Sequence, residues 1–309
     1  YICGSAEFDT ERDSFNDLLK NAKFSLHAAK LNGKNRCEIF DSVNYMEYIK
    51  KLGIQDELRR CISEGFEGFE LYFQPIYNPQ NDKLSGAEAL IRWNCSKYGF
   101  MEPDKFIPLL EESALIIPLG RWIIDTAAKA CNRWITNIPD FVMHINLSFV
   151  QIVKSNIIKD VLERIGRYSA ANNHYVFEIT ETIEMDRIPA VERVFKEFIK
   201  NDFRLAIDDF GTGYSNYGYM RDKIFDIVKV DRSFITDIDK QRNNYLMVSF
   251  IIKMAHEMGL HVCIEGVETK EELACVRELG ADYIQGYYYG KPVCVADFEE
   301  QHLKKLILG

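Results

Sequence analysis

No two of the eight cysteines form a C-x-x-C pair, and none of the six histidines stands at metal-ligand spacing. That excludes a structural zinc site, and thiols scattered this way read as reduced cysteines of a cytoplasmic protein. No stretch is apolar enough to span a membrane: the most apolar one, Phe106 to Ile124, is broken by Pro108, Glu111, Glu112, Pro118 and Arg121. Within this sequence, then, no membrane contact is expected. Positive charge is scarce too. Lys and Arg number 38 against 47 Asp and Glu, for a net charge of -9. A general grip on duplex nucleic acid is therefore not expected, and an anionic ligand would need metal ions or a local basic group. An initiating Met is also missing. The sequence opens at Tyr1 inside a strand-like run, so it reads as a piece of a longer polypeptide, which leaves an upstream membrane anchor or sensor open.

What is present is a repeated pattern. The 309 residues suffice for one large α/β barrel and a smaller piece. Residues 1–40 read as strand, helix, strand, with Ser14 and Asp17 as a capping box and Leu18, Leu19, Ala22, Leu26 and Ala29 as an apolar stripe. This unit is too small to bury a core alone. An amphipathic connecting helix follows from Ser42 to Ser63, ending near Gly65. Strand candidates then fall at 70–77, 84–92, 143–148, 175–180, 204–209, 227–231, 261–266 and 283–288. Between them lie helical stretches at 119–135, 150–167, 188–201, 240–258 and 269–279. Strands alternating with helices predict a TIM-type (β/α)8 barrel. The turn Asn78 to Lys83 is too short for a helical crossover, so the first strand is expected to be antiparallel.

The eight Val/Ile-rich runs end in polar residues: Gln74, Glu88, Asn146, Glu178, Asp208-Asp209, Lys229 with Asp231, Glu265 and Gln285. A folded core tolerates so many carboxylates only around something cationic. In a parallel barrel these C-terminal ends converge on one mouth, where active sites are built. Alternation puts Glu88, Leu90 and Arg92 on one strand face, and Lys229 and Asp231 on another. Asp208 and Asp209 share a centre only if the chain turns, which Gly211 and Gly213 allow. Oxygen ligands from Glu88, Asn146, Glu178, Asp208, Asp209 and Glu265 suit hard ions such as Mg²⁺ or Mn²⁺. Two such ions, about 3.5–4 Å apart, would clamp an in-line displacement at phosphorus. The segment Gly211 to Met220 is a connector or a lid, and its length favours the lid. His144 reads as a barrel-lining residue rather than a ligand, and Trp93, Trp122 and Trp134 as packing aromatics. Asp209-Phe210-Gly211 spells the kinase metal motif, but no Gly-rich nucleotide loop or H-R-D loop accompanies it.

Gly86-Ala87-Glu88-Ala89-Leu90-Ile91-Arg92-Trp93 resembles the signature of EAL-type cyclic-di-GMP phosphodiesterases. So do Gln74-Pro75-Ile76, Ile145-Asn146-Leu147-Ser148, Glu178-Ile179-Thr180-Glu181 and Asp208 through Gly213. Lys229 through Phe234, Glu265 through Thr269 and Gln285-Gly286-Tyr287 complete the series, which covers about residues 67–300. Residues 29–36 resemble the end of a GGDEF domain whose own signature loop is absent from this chain. The resemblance implies three regions: 1–41 from a GGDEF-like domain, 42–66 a connecting helix, 67–309 the EAL barrel.

It also implies a bacterial signalling hydrolase that opens cyclic-di-GMP to linear pGpG with two divalent cations, and a homodimer. Glu88, Asn146, Glu178 and Asp208 would hold the first metal; Asp208, Asp209 and Glu265 would serve the second. Lys229 would orient or help activate the attacking water, and Glu181 would brace the lid. Asp231, Glu268 and Gln285 would be catalytic or ligand-binding supports, while Gln74, Leu90 and Arg92 would contact the nucleotide. Asn94-Cys95-Ser96, Cys263-Ile264 and Tyr217 depart from the family pattern, but none removes a ligand. Alternation sends Ile264 towards the helices, so repacking is the expected result. Two rival readings remain: a receptor that binds the dinucleotide without turnover, and an enolase-like barrel using Lys229 as base, against which the paired aspartates argue.

Overall fold

The computed structural model describes residues 1–7, 14–31, 33, 35–181, 189–212 and 224–304. The chain divides into two compact units, Tyr1–Arg60 and Cys61–Gly309. In the first, β1 (Ile2–Ser5), α1 (Phe15–Leu31) and β2 (Arg36–Ile39) precede α2 (Ser42–Ser63), most of which belongs to this unit. The two strands pair in parallel. Ser14 and Asp17 do form a capping box: each backbone N–H donates to the other's side chain. Leu19 of the expected apolar stripe is largely exposed, whereas Ala29 is buried and Phe24 packs on Phe40, Tyr45 and Tyr48.

In the second unit, β3 (Phe69–Asn78) and β4 (Lys83–Cys95) form a hairpin, extended by β5 (Gly99–Met101). Helices α3 (Pro103–Glu112) and α4 (Ile116–Trp134) cover it before β6 (Val142–Asn146). Next come α5 (Phe149–Lys154), α6 (Ile157–Ile165), β7 (Tyr175–Thr180), α7 (Pro189–Lys200) and β8 (Arg204–Phe210). Then follow β9 (Ile227–Val230), α8 (Arg242–Glu257), β10 (His261–Glu265), α9 (Lys270–Leu279) and β11 (Tyr283–Gln285). The short β12 (Val293–Cys294) pairs with β3, and α10 (Val295–Phe298) follows it. The sheet closes because β3 pairs with both β4 and β11, antiparallel to each, while the strands from β4 round to β11 run parallel. This is a TIM-type barrel with an antiparallel first strand.

Caps fix several connections. Thr269 and Glu272 form a capping box at the start of α9, which ends at Gly280 with φ +83°, a left-handed stop that favours glycine. The stretch expected as one helix over 150–167 is two. Asn156 accepts from the Lys159 N–H and starts α6 afresh, since its side chain competes with the continuing helix. Inside the barrel, Ile76, Val176, Ala206, Ile227 and Cys263 form one apolar layer. Cys263 therefore faces inward, and Ile264, fully buried, takes the opposite face towards the helices, as alternation predicts. Trp93 and Trp134 are buried in aromatic clusters, and Trp122 stacks on Phe66.

Candidate active site at the barrel mouth

One turn of side chains above the apolar layer, the strand ends project their polar residues into a common space. Lys229, fully buried at the end of β9, is the hub. Its Nζ lies 2.8 Å from Glu178, 2.7 Å from Glu265, 3.2 Å from Asp208 and 3.4 Å from Glu88. Asn146 donates its amide to Glu88 Oε1 at 2.6 Å, and Gln285 donates to Glu88 Oε2 at 2.5 Å and to Gln74 at 3.0 Å. Gln74 in turn donates to the Gly290 carbonyl at 3.3 Å. Eight strands thus meet in one cluster of ion pairs and hydrogen bonds.

The turn that joins Asp208 and Asp209 is made differently from the sequence expectation. Asp209 itself adopts φ +55°, and the register between β8 and β9 shifts between Ile207 and Phe210. A left-handed residue at a bulge swings the next side chain to the same side, so two successive carboxylates face one centre. Gly211 also has a positive φ, and a Cβ there would strike the Phe234 ring, so this residue must stay small. Its N–H donates to Glu181 at 2.7 Å, and the Glu181 N–H donates to the Asp208 carbonyl at 2.9 Å. Glu181 therefore pins the exit of β8, although the lid expected to begin there extends through 213–220, outside the described residues. The same is true of Tyr217.

Negative charge exceeds what one lysine can balance. Burial, then the neighbouring Glu88 and Asp208, push the Glu178 carboxyl well above the usual range despite Lys229. Burial and the adjacent Asp208 and Glu88 raise Glu265 to about 8, and burial with Asp208 and Asp231 raises Asp209 to about 6. Asp208 moves the same way, by burial and Glu88. Glu88 is the exception: burial opposes its charge, but Lys229 and the amides of Gln285 and Asn146 outweigh it and hold the carboxyl below its ordinary value. Lys229 responds in kind, its burial penalty overcome by four carboxylates that hold it protonated. Two buried oxygens of the cluster, Gln285 Oε1 and Asp208 Oδ1, lack a donor among the described residues. Asp208 Oδ1 is buried with no hydrogen bond, because Nζ at 3.2 Å is not aligned with it. Asp208, Asp209 and Glu265 each offer an oxygen within 4.8 Å of the others. An all-oxygen donor set with a spare buried lone pair fits a hard divalent cation.

Other expected residues lie around this centre. Arg92 sits with its guanidinium 5.5 Å above the Tyr72 ring, donating to the Ile91 carbonyl, and Leu90 is half-buried beside it. Asp231 accepts from the Ser233 N–H and caps the short turn after β9. Glu268 is exposed and outside the cluster; among the described residues only its backbone N–H is engaged, with Glu272. Alternation could not have placed it, because it follows the strand rather than belonging to it. His144 gained a role that its sequence gave no sign of. Its Nδ1 lies 2.7 Å from Glu178 Oε1, and burial, then Lys229, drives the ring to about 3, so it is neutral. A neutral ring beside a carboxylate donates from Nδ1, which fixes the carboxylate's rotation.

A family model described as EAL domain matches residues 55–292. The signaling protein YkoW of Bacillus subtilis is 32% identical over 285 residues, 92% of this chain and 35% of that protein. The cyclic di-GMP phosphodiesterase NbdA of Pseudomonas aeruginosa is 30% identical over 298 residues, 96% of this chain and 38% of its own length. Among solved structures, the PaMucR phosphodiesterase in its c-di-GMP complex superposes with a TM-score of 0.74 at 28% identity, over 80% of this chain and 99% of that one. The chain spans less than half the length of these two curated relatives.

Proposed function

Since the chain belongs to the EAL domain family, we propose that it hydrolyses one phosphodiester of cyclic di-GMP to linear pGpG at the barrel mouth. The observation that carries this reading is the cluster of Glu88, Glu178, Asp208, Asp209 and Glu265 around a single Lys229, with Asp208 Oδ1 left without a donor. The substrate class is supported by the named activity of NbdA and the ligand of PaMucR.

Glu88, Asn146, Glu178 and Asp208 would hold one Mg²⁺ or Mn²⁺, and Asp208, Asp209 and Glu265 a second. Bound there, two divalent ions neutralise phosphate charge and lower the pKa of a water towards about 7. The chain's own residues do the positioning. Lys229, braced by four carboxylates, orients the attacking water and stays charged while doing so. Asp209 and Glu265 would supply carboxylates beside that water. Gln285 and Asn146 fix both oxygens of Glu88. Arg92 offers guanidinium N–H groups to a phosphate oxygen, with Gln74 and Leu90 against the nucleotide. Asp231 adds negative charge beside Asp209 from its capped turn, and Glu181 holds the exit of β8. Glu268, exposed just after β10, is kept as a support of the step. Residues 1–41 are read as the end of a GGDEF domain and the assembly as a homodimer, which light scattering of the purified chain would test.

The deciding assay incubates the chain with cyclic di-GMP and either cation, and resolves the products by ion-exchange chromatography. Appearance of pGpG, abolished by EDTA, is the expected result. Dinucleotide bound but left intact with both ions would make the protein a receptor and overturn the hydrolytic reading.

A further inference from the structure

The opposite end of the same barrel carries a second cavity, of about 560 Å³, where the parallel strands begin. Its charged lining residues are Lys83, Arg204 and Asp140, a local excess of positive charge in a chain of net -9. Arg204 spends its Nε and Nη2 on the Asn173 carbonyl, at 3.1 and 2.6 Å, which orients the guanidinium and leaves N–H donors over. Neither Arg204 nor Lys83 makes a salt bridge to a carboxylate among the described residues. The Asp226 carboxylate feels the charge of Arg204 but forms no ion pair with it. Two cations without a direct carboxylate partner among the described residues, beside the amide of Asn173 and at the edge of a cavity, are the donor set that a carboxylate or phosphate requires. His144 is also part of the lining, and its Nδ1 is already committed to Glu178. One buried ring therefore touches both the cavity and the acidic cluster.

We propose that this N-terminal cavity is a second binding site, for a small oxyanion held by Arg204 and Lys83, and that His144 links its occupancy to the acidic cluster through Glu178. A ligand bonded to Nε2 changes how the ring sits and hence how Glu178 is held. By linkage, whatever binds the acidic cluster then alters anion affinity by the same factor. The binding half is independent of the proposed hydrolysis. The coupling half rests on the cation site of that reading.

The test uses the whole chain, freed of metal so that the acidic mouth repels anions, titrated calorimetrically with pyrophosphate and, in a separate arm, citrate. Saturable binding of either is expected, weakened at least tenfold by Arg204→Met and by Lys83→Met, and unchanged by Asp209→Asn; the arm that binds tells phosphate from carboxylate. Lys83 is exposed, so its variant keeps the test decisive if Arg204→Met fails to fold. Absence of binding in both arms, or binding indifferent to both substitutions, overturns the site. Manganese is then titrated with and without the anion that bound. At least a threefold change in affinity is expected, absent in His144→Phe. An unchanged manganese affinity overturns the coupling, whereas no manganese binding at all would instead count against the proposed hydrolysis and leave the anion site standing.

Discussion

At the N-terminal end of the barrel, Asp282 accepts from the Val262 N–H at 2.8 Å and from His256 at 2.9 Å, with His261 at 3.4 Å. Burial works against its charge, but the two histidines and the backbone N–H overcome it and bring the carboxyl down to about 2. At the C-terminal end, Glu178, Asp208, Asp209 and Glu265 are all driven up, by burial and by one another. The half-buried Asp226, on the N-terminal side, is raised by burial alone, with no neighbouring carboxylate adding to it. Charge at one end is thus matched to local donors that hold the strand starts. At the other end it is left in excess, a destabilising arrangement that a bound cation relieves, and such concentrations of perturbed groups mark functional sites.

The sharpest way to break this contrast is to remove one carboxylate from each end. Asp208→Ala should lower kcat about 10³-fold, because metal-borne charge stabilisation is worth several kcal/mol at about 1.4 kcal/mol per tenfold. Asp140→Ala, at the other end, should leave kcat within about twofold, since it touches nothing in the cluster. Steady-state assays of cyclic di-GMP turnover compare them; equal losses would erase the distinction. Lys229→Met comes next, with kcat expected to fall about 10²-fold or more, the usual range for a group acting on the proton-transfer step. Its effect on stability should be smaller than for an ordinary broken buried pair, about 3–5 kcal/mol, because the neighbouring carboxylates can take up protons instead. Chemical denaturation of the metal-free variant at pH 6 and pH 8 reads this, with the greater loss at pH 8.

Most of the frame behind these expectations is legible from period-two alternation. Glu88, Glu178, Lys229, Glu265 and Gln285 all face inward as the strand pattern predicts, the last four near the ends of β7, β9, β10 and β11 and Glu88 midway along β4, which runs on to Cys95. The short Asn78 to Lys83 turn gives away the antiparallel β3. What alternation misses are events decided by tertiary contact. The left-handed φ of Asp209 comes from a bulge against β9, and a reading of the sequence credits the following glycines instead. β5 escapes notice because a three-residue strand carries too little pattern. His144 looks like filler until Glu178, 34 residues on, arrives beside it.

A pH series sharpens the comparison further. Glu265 has a folded value of about 8 against an ordinary 4.5, and Asp209 about 6 against 3.8. In both, the folded chain holds a proton that the unfolded chain has released. Their contribution to the stability of the metal-free chain is therefore fully present below these ordinary values and is lost as pH rises towards about 6 for Asp209 and about 8 for Glu265. A cation must displace the same protons, so apparent manganese affinity should rise about tenfold per pH unit for each proton released on binding. Calorimetry between pH 6 and pH 9 checks this, and an affinity independent of pH would show that the carboxylates are already ionised without metal.

The smallest expected effect lies at the other end and has the opposite sign. Asp282 has a folded value of about 2, below its ordinary 3.8, so its contribution is present above 3.8 and lost as pH falls through about 2. Asp282→Asn keeps an acceptor for the Val262 N–H and removes only the charge that the two histidines meet. Because the side chain is still 27% exposed, solvent screening limits the cost to about 1 kcal/mol at pH 7. Denaturant melts at pH 7 and pH 3 should show that difference shrinking at the lower pH, while kcat for cyclic di-GMP stays within about twofold. A loss of turnover in this variant without a loss of stability would mean that Asp282, which does not line the proposed anion cavity, acts on the chemistry as well as on the fold.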